Sequence, residues 1–571
     1  MSAFVQNSLD SLDLLLEQLT APGTPFEVIE KELKGVNYPF FKNLPPNLGA
    51  FYTMGLQYGE RPFLVYKDKP LSFREVLNRV NLLAGVMVNQ FGIKKGDRVA
   101  LAMRNSPEWC IAFMAATTIG AIAVAINSWW KSEELIHAIE DSTPSLLFAD
   151  NQRFGYLANF IAVKGLRTIV VKPKMPLDDR CTAFESLLMN AGITTKALPE
   201  VEQEDDAVIF YTSGSTGTPK GALSNHRMPM ITVFTWALIG TALEQMSAAD
   251  SAHVDSPKST LLCLPLFHVT ACYNLFLLSL LIGRKLVFID RWDVDVVMQT
   301  IEREKITHFV GVPTMSYELL HAPNRHHYDL SSLQEIGGGG SARPASQVQE
   351  LNREFLIPVS IGYGMTETNA LGCLNGGQDY LDKPDSVGRA SSPIVTLKIV
   401  DEMGNEAGVY RHGEIHIKSA ANIKGYWNND RDTKEILDEG WIRTGDIGFL
   451  DNEGFLYIVD RKKSIVIRGG ENISTLEVEG VMSSHGKVKE VAVFGVPDAR
   501  LGESLAGVVS LHNGETLTPD VLKEYMAEKL AHFKIPEVIK ISEAALPKGS
   551  TGKIDKLSIR KKYIQNMNSI T

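Results

Sequence analysis

Cysteine is scarce in this chain of 571 residues: five thiols, Cys110, Cys181, Cys263, Cys272 and Cys373, are scattered with no C-x-x-C pair. That excludes a disulfide framework and a zinc site of the usual spacing, and it fits a reducing, cytoplasmic compartment. Positive charge is in deficit as well, 57 Lys and Arg against 67 Asp and Glu for a net −10. A chain of that balance has no global attraction for nucleic acid or anionic lipid. Long apolar runs are missing too. Residues 111–126 are diluted by Ala, Thr and Gly, and residues 273–282 stop at Arg284-Lys285, so both read as buried helices rather than membrane spans. Asp10, Asp13 and Glu17 stand among the leucines of the first twenty residues, which suits a short amphipathic helix and not a signal peptide. The final Asn568-Ser569-Ile570-Thr571 is no peroxisomal tripeptide. With 44% hydrophobic and 22% charged residues, what remains is an ordinary soluble globular composition, long enough for at least two domains.

The densest stretch is Y-T-S-G-S-T-G-T-P-K-G, Tyr211 to Gly221. The apolar run Ala207-Val208-Ile209-Phe210 before it reads as a buried strand. Two glycines, Gly214 and Gly217, let the backbone turn its N–H groups toward a ligand. The hydroxyls of Thr212, Ser213, Ser215, Thr216 and Thr218, with the Lys220 ammonium, suit polyphosphate oxygens. Pro219 stands where a Walker A sequence needs glycine, which disfavours a general P-loop NTPase.

Elsewhere short apolar runs (99–103, 121–126, 146–149, 168–171) alternate with helical patterns such as the one opened by the Ser72-x-x-Glu75 capping box. This predicts a parallel α/β sheet with helices on its faces, where ligands sit beyond the carboxyl ends of the strands. His268, after the run 261–264, could line a pocket or cap a buried edge. Gly337-Gly338-Gly339-Gly340-Ser341-Ala342 is either a linker or, as favoured by the strand entering it, a flat wall for a planar ring. In I-G-Y-G-M-T-E-T, residues 361–368, Tyr363 can stack on a base, Thr366 can donate to a phosphate oxygen and Glu367 can hold Mg²⁺. Past residue 395 the texture turns to short strands and hairpins. Asp446, expected on a turn, could hold ribose hydroxyls or simply form the turn. The charged segment 460–464 reads as a hairpin or a hinge, and the hundred residues beyond it as a small α+β domain whose helix opens at Thr518-Pro519-Asp520. A terminal loop carries Lys548 and Lys553, which could belong to a soluble tail or reach into a distant site.

Taken together, Y-T-S-G-S-T-G-T-P-K-G, G-Y-G-M-T-E-T, W-I-R-T-G-D, D-R-K-K-S and P-K-G-S-T-G-K resemble the adenylate-forming acyl-CoA synthetase superfamily, which also contains firefly luciferase and peptide-synthetase adenylation domains. They occur in the family's order from about residue 50 to 560. The resemblance implies a large N-terminal AMP-binding domain of α/β sheets with a β-rich subdomain, residues 1–462, hinged to a small mobile α+β domain, residues 463–571. It implies ATP, Mg²⁺ and CoA as co-substrates or cofactors. Thr212, Ser213, Gly214, Ser215, Thr216, Gly217 and Lys220 would cover the β- and γ-phosphates. Gly340, Ser341, Ala342 and Tyr363, with Gly364 and Met365 in the same turn, would enclose adenine. Thr366 would contact the α-phosphate, Glu367 would bind the metal, and Asp446 and Arg461 would hold the ribose. Lys553 would stabilise the reacting carboxylate, Lys463 would be the hinge, and Gly469-Gly470 would meet the CoA pantetheine.

By the same resemblance His268, where peptide synthetases carry an aspartate for the amino group, argues against an amino acid substrate. Trp236, Val269, Thr270, Ala271, Cys272, Phe309 and Gly311 would line an acyl pocket with no partner for a second charge, which selects a medium- or long-chain fatty acid. Ile467 replaces a second lysine of luciferase-like and coumarate-ligase-like members. The alternatives are an acyl-AMP ligase loading a carrier protein, an aryl-acid CoA ligase, a luciferase-like oxygenase, and a non-catalytic nucleotide sensor. No nucleic-acid partner is expected; peripheral membrane contact and a homodimer stay open.

Overall fold

The computed structural model describes residues 12–189, 198–212, 219–248, 257–341, 343–462, 464–468, 471–498, 500–549 and 553–568. Local signals act as their chemistry requires. Ser72 Oγ accepts from the Glu75 amide at 3.1 Å while Glu75 returns a carboxylate to the Ser72 amide at 2.7 Å. That box opens the helix Phe73–Asn89, which buries Val76, Leu77, Val80, Leu83, Ala84 and Met87 on one face.

Two large sheets form the bulk of the molecule. The first runs Gly425–Tyr426, Lys220–Asn225, Asp206–Thr212, Ile122–Ala125, Arg98–Ala102, Leu146–Asp150, Thr168–Val171, Cys181–Ala183. Its strands from Asp206–Thr212 outward are parallel, as the alternation of short apolar runs with helices predicts. The second has nine strands, including the parallel neighbours Ser259–Leu262, His308–Gly311, Glu335–Gly339 and Val359–Gly364. The main core lies between the two sheets: Val99, Leu101 and Phe210 of the first and Phe63, Leu262 and Leu286 of the second belong to one buried cluster with Met230, Ile231 and Leu238. Separate clusters cover the outer face of each sheet.

A five-stranded antiparallel sheet between residues 396 and 461 follows. The last five-stranded sheet, between residues 466 and 542, has its own core around Val478, Val493, Val509 and Leu522. Its helix Pro519–Ala527 opens on Thr518, which caps the Val521 amide. Large α/β sheets, a β-rich subdomain and a small α+β domain thus appear in the expected order. Among the described residues no helix is long and apolar enough to cross a membrane.

The glycines 337–339 continue the strand that enters them, Glu335–Gly339, and two local expectations are corrected. Tyr363 likewise sits inside a strand, Val359–Gly364. Asp446 lies within the strand Trp441–Leu450 rather than on a turn, next to Gly445 at φ +71 and a register shift between Ile447 and Gly448. Turn-forming residue types predict turns, whereas here the ladder absorbs them and the bulge re-aims one side chain.

Candidate functional site

Eight strands and two helices carry the site: β1 (Asp206–Thr212), β2 (Lys220–Asn225), β3 (His308–Gly311), β4 (Glu335–Gly339), β5 (Val359–Gly364), β6 (Gly425–Tyr426), β7 (Trp441–Leu450) and β8 (Leu456–Arg461), with α1 (Arg227–Ala248) and α2 (Asp430–Ile436).

The phosphate-loop stretch is the connection of an antiparallel hairpin, β1 with β2. Ser213, Gly214, Ser215, Thr216 and Gly217 lie outside the described residues. Both ends of the loop are anchored. Tyr211 donates its hydroxyl to Asp141 at 2.6 Å, and the Trp427 amide donates to the Gly221 carbonyl at 2.7 Å. The Lys220 ammonium lies 2.5 Å from Asp432 of α2 and 5.2 Å from the ring centre of Tyr426.

The second half of the site is the exit of β5. At Gly364 a Cβ would come within 2.8 Å of the Ala370 backbone carbon, so only glycine fits there. The chain then turns through Met365 into the short helical turn Thr366–Thr368, with Asn369 left-handed at φ +51. Asn369 ties this turn to β2, donating to Ser224 Oγ at 3.0 Å and to the Ala421 carbonyl at 2.6 Å. Glu367 is buried, and one of its oxygens accepts the Tyr426 hydroxyl at 2.6 Å. Burial raises its pKa, against the Tyr426 hydrogen bond and the charges of Arg461 and Lys220, which lower it. One buried carboxylate beside a phosphate loop fits Mg²⁺, which takes one or two carboxylates and completes its shell with phosphate oxygens and water. Among the described residues no group of three His, Cys, Asp or Glu could hold a metal alone.

Tyr363, Asp446 and Arg461 are brought together. The Tyr363 hydroxyl donates to Asp446 at 2.7 Å, and Arg461 Nε lies 3.1 Å from the other carboxylate oxygen. Asp446 and Arg461 face each other across the β7–β8 pair, which is how residues fifteen apart come together. Opposite them Gly340, at φ +79, leaves open the space that a Cβ would take 3.5 Å from Lys553 Cε. The Lys553 ammonium, carried by the C-terminal domain, therefore stands against the β4 exit. Burial of its charged end lowers its pKa, Arg461 lowers it further, and Asp446 partly opposes them. Ser341 follows in the same exit loop; Ala342 is outside the described residues, as are Lys463, Gly469 and Gly470.

The acyl-pocket expectation is divided by the sheet. Trp236 of α1 approaches β5, its ring edge 3.7 Å from the Cβ position of Gly362, and Val310 approaches Gly337 at 3.1 Å on the same face. The pairing Gly339 with Gly362 keeps all of these on one side. Phe309 and Gly311 occupy the other side, with Phe309 buried against Trp292 at 5.9 Å. Successive strand residues point to opposite faces, so Val310, not Phe309 or Gly311, shares the side on which Trp236 approaches. Cys272 is fully enclosed in the core, in the same cluster as Cys110 and Tyr52. His268 sits just ahead of the π-helical segment Thr270–Leu277, a deviation common at functional sites. Its Nε2 is buried and unpartnered, as is Trp236 Nε1. Burial and the nearby Lys553 charge bring the His268 pKa down to about 4, so the ring is neutral.

Tyr426, Asp432 and Asn369 escaped the sequence reading. Only β6 pairing with β2, Tyr426 opposite Ala222, brings Tyr426 to a glutamate fifty-nine residues away, and no spacing signals that.

The AMP-binding enzyme family matches residues 53–427, and the AMP-binding enzyme C-terminal domain matches residues 477–553. A long-chain-fatty-acid–CoA ligase of Bacillus subtilis is 30% identical over 526 residues, covering 87% of this chain and 91% of that protein. An indoleacetate–CoA ligase of Aromatoleum aromaticum is 31% identical over 497 residues, covering 87% and 94%. Among solved structures, an o-succinylbenzoate coenzyme A synthetase from Bacillus subtilis, in complex with ATP and magnesium ion, aligns with a TM-score of 0.76 at 28% identity over 90% of this chain and 99% of that one.

Proposed function

This chain belongs to the AMP-binding enzyme family, and from that premise we propose that it activates a medium- or long-chain fatty acid. ATP and the acid give acyl-AMP with release of pyrophosphate, and the CoA thiol then takes the acyl group with release of AMP. The carrying observation is the approach of Lys553 to the β4 exit at Gly340, close enough to the Asp446–Arg461 pair for both charges to act on it. An ammonium at that point can offset the repulsion between a carboxylate and a polyphosphate, which is catalysis by positioning and charge stabilisation. Asp446 and Arg461 hold the ribose, Tyr363 stacks on the base, Thr366 contacts the α-phosphate, and Thr212 to Lys220 cover the outer phosphates. Glu367 holds the magnesium ion, which neutralises phosphate charge when bound.

The aliphatic choice is supported by the Trp236 ring at the Cβ position of Gly362 and by Val310 over Gly337, on a face that also carries the Ser360 hydroxyl, bonded to Glu335 at 2.7 Å. The long-chain relative supports it too. The boundary between residues 462 and 463, with Lys463 as hinge, lets the small domain withdraw Lys553 and bring Gly469-Gly470 to the CoA thiol.

ATP–pyrophosphate exchange and CoA-dependent thioester formation, measured across acids from acetate to oleate with benzoate and coumarate beside them, test this. Both activities should peak on aliphatic acids, and Lys553→Ala should lose adenylation. Exchange without thioester would point to a carrier-protein acceptor, a peak on aromatic acids to an aryl-acid ligase, and no exchange with any acid would sink the ligase reading.

A further inference from the structure

Lys220 is not free to await a phosphate. Its ammonium is 2.5 Å from Asp432, with only 18% of the lysine side chain and 6% of the aspartate side chain exposed. Asp432 is itself firmly placed. Its amide donates to Asn429 Oδ1 at 3.1 Å, Asn429 Nδ2 returns a bond to Oδ2 at 3.1 Å, and Arg431 Nε donates to Oδ1 at 3.0 Å. The Asp432 carboxylate is accordingly held to a pKa of about 2, chiefly by Lys220.

The segment carrying Asp432 is fastened to the phosphate hairpin. Tyr426 pairs with Ala222, and its amide donates to Thr433 Oγ1 at 2.8 Å. At Gly425 a Cβ would meet Thr433 Cγ2 at 2.7 Å, so β6 and α2 are in close contact. Lysine and aspartate are thus set against each other by backbone pairing rather than by chance of surface rotamers. The usual discount for exposed ion pairs does not apply to such a pair.

We propose that Asp432 is a positioning counter-ion that competes with polyphosphate for Lys220. This rests on the reading that the Thr212–Lys220 stretch faces the outer phosphates of ATP. Without polyphosphate Asp432 holds the ammonium beside the hairpin. When ATP binds, the ammonium turns to a phosphate oxygen, while Arg431 and Asn429 still satisfy the carboxylate, so no bare charge is left behind. When pyrophosphate leaves, the pair re-forms, and the enzyme thereby holds its first product less tightly than an unopposed lysine would.

Isothermal titration of pyrophosphate and of AMP, with magnesium present, into wild type, Asp432→Asn, Lys220→Ala and the double variant tests this. Asp432→Asn should bind pyrophosphate about tenfold tighter, the size of one charged hydrogen bond released from competition, with AMP affinity unchanged. In the Lys220→Ala background the same change should bring no tightening. Asp432→Ser repeats the measurement should the asparagine variant unfold. Pyrophosphate affinity that is unchanged or weaker in both Asp432 variants, or a tightening that persists without Lys220, overturns the proposal. Wild type that binds neither AMP nor pyrophosphate overturns the ligase reading as well, whereas intact AMP binding with unaltered pyrophosphate binding counts against Asp432 alone.

Discussion

The Tyr363 hydroxyl donates to the Asp446 carboxylate at 2.7 Å, a bond that joins the nine-stranded sheet to the β-rich subdomain at the proposed nucleotide site. Arg461 takes the other oxygen of Asp446, so the carboxylate is oriented from two sides before any ligand arrives. Removing it leaves Tyr363 and Arg461 without their acceptor. Asp446→Ala should raise the KM for ATP at least about tenfold, since a charged hydrogen-bond acceptor is lost. Tyr363→Phe keeps the stacking ring and should cost about threefold or less. ATP–pyrophosphate exchange at varied ATP separates the two; equal effects would mean that the hydroxyl, rather than the carboxylate, is what the nucleotide site needs.

Tyr426 holds one oxygen of Glu367, the carboxylate proposed to bind the metal, at 2.6 Å. Tyr426→Phe should raise the magnesium concentration needed for half-maximal exchange by about tenfold, the loss of one hydrogen bond to a charged group. AMP binding, measured without magnesium, should not change. A parallel loss of AMP affinity would show that the tyrosine supports the fold of the site instead of its metal carboxylate.

The fold was legible because its signals are local: the capping box at Ser72 and Glu75, the apolar runs of the parallel strands, and the threonine cap at residue 518 all lie within a few residues of what they decide. The expectation of a nucleotide site rests on an unusual density of glycine and hydroxyl residues around 211–221 and 361–368. Three things were not legible. Which face of β3 carries Val310 and which carries Phe309 depends on register, and a one-residue difference exchanges them. Asp446 looked like a turn residue because Gly445 precedes it, whereas the bulge sits inside a strand. Tyr426 and Asp432 reach the site only because β6 adds to the edge of the first sheet, a long-range pairing without a motif of its own.

The Trp236–Gly362 face, taken as the proposed acyl pocket, predicts a size filter. A Cβ at Gly362 would stand 3.7 Å from the Trp236 ring, ordinary contact, while anything larger must fill the space between β5 and α1. Gly362→Leu should therefore raise the KM for long aliphatic acids by about tenfold or more, the value of roughly two methylenes excluded from an apolar site. Short acids should be little affected and AMP binding unchanged. Exchange measured with butyrate, octanoate and palmitate decides; uniform loss across the three would place the acyl chain elsewhere.

Acid should weaken this protein before its carboxylates titrate in bulk. His226 and His268 are held to a pKa of about 4 and His308 to about 3, each chiefly by burial. The neighbouring charge of Lys553 adds to this at His268, and those of Arg284 and Lys258 at His308. A histidine whose folded pKa lies below its unfolded value contributes fully above the unfolded pKa, near 6.5, and that contribution is lost as pH falls toward the folded pKa. Between pH 6.5 and 5 the unfolded chain takes up protons that the folded one refuses, about 2 kcal/mol for each such histidine. Glu367, with its pKa raised by burial, has the opposite sign, because acid relieves its burden, and it offsets part of the loss. Urea unfolding at pH 7 and pH 5 should show a clear drop in stability across that interval. His226 accepts the Leu48 amide through Nδ1 at 3.3 Å and leaves Nε2 buried and unpartnered. A glutamine there can still accept from Leu48 but cannot be protonated, so His226→Gln should shrink the drop by about a third. A drop of unchanged size would mean that water or a local opening already lets His226 take its proton in the folded state.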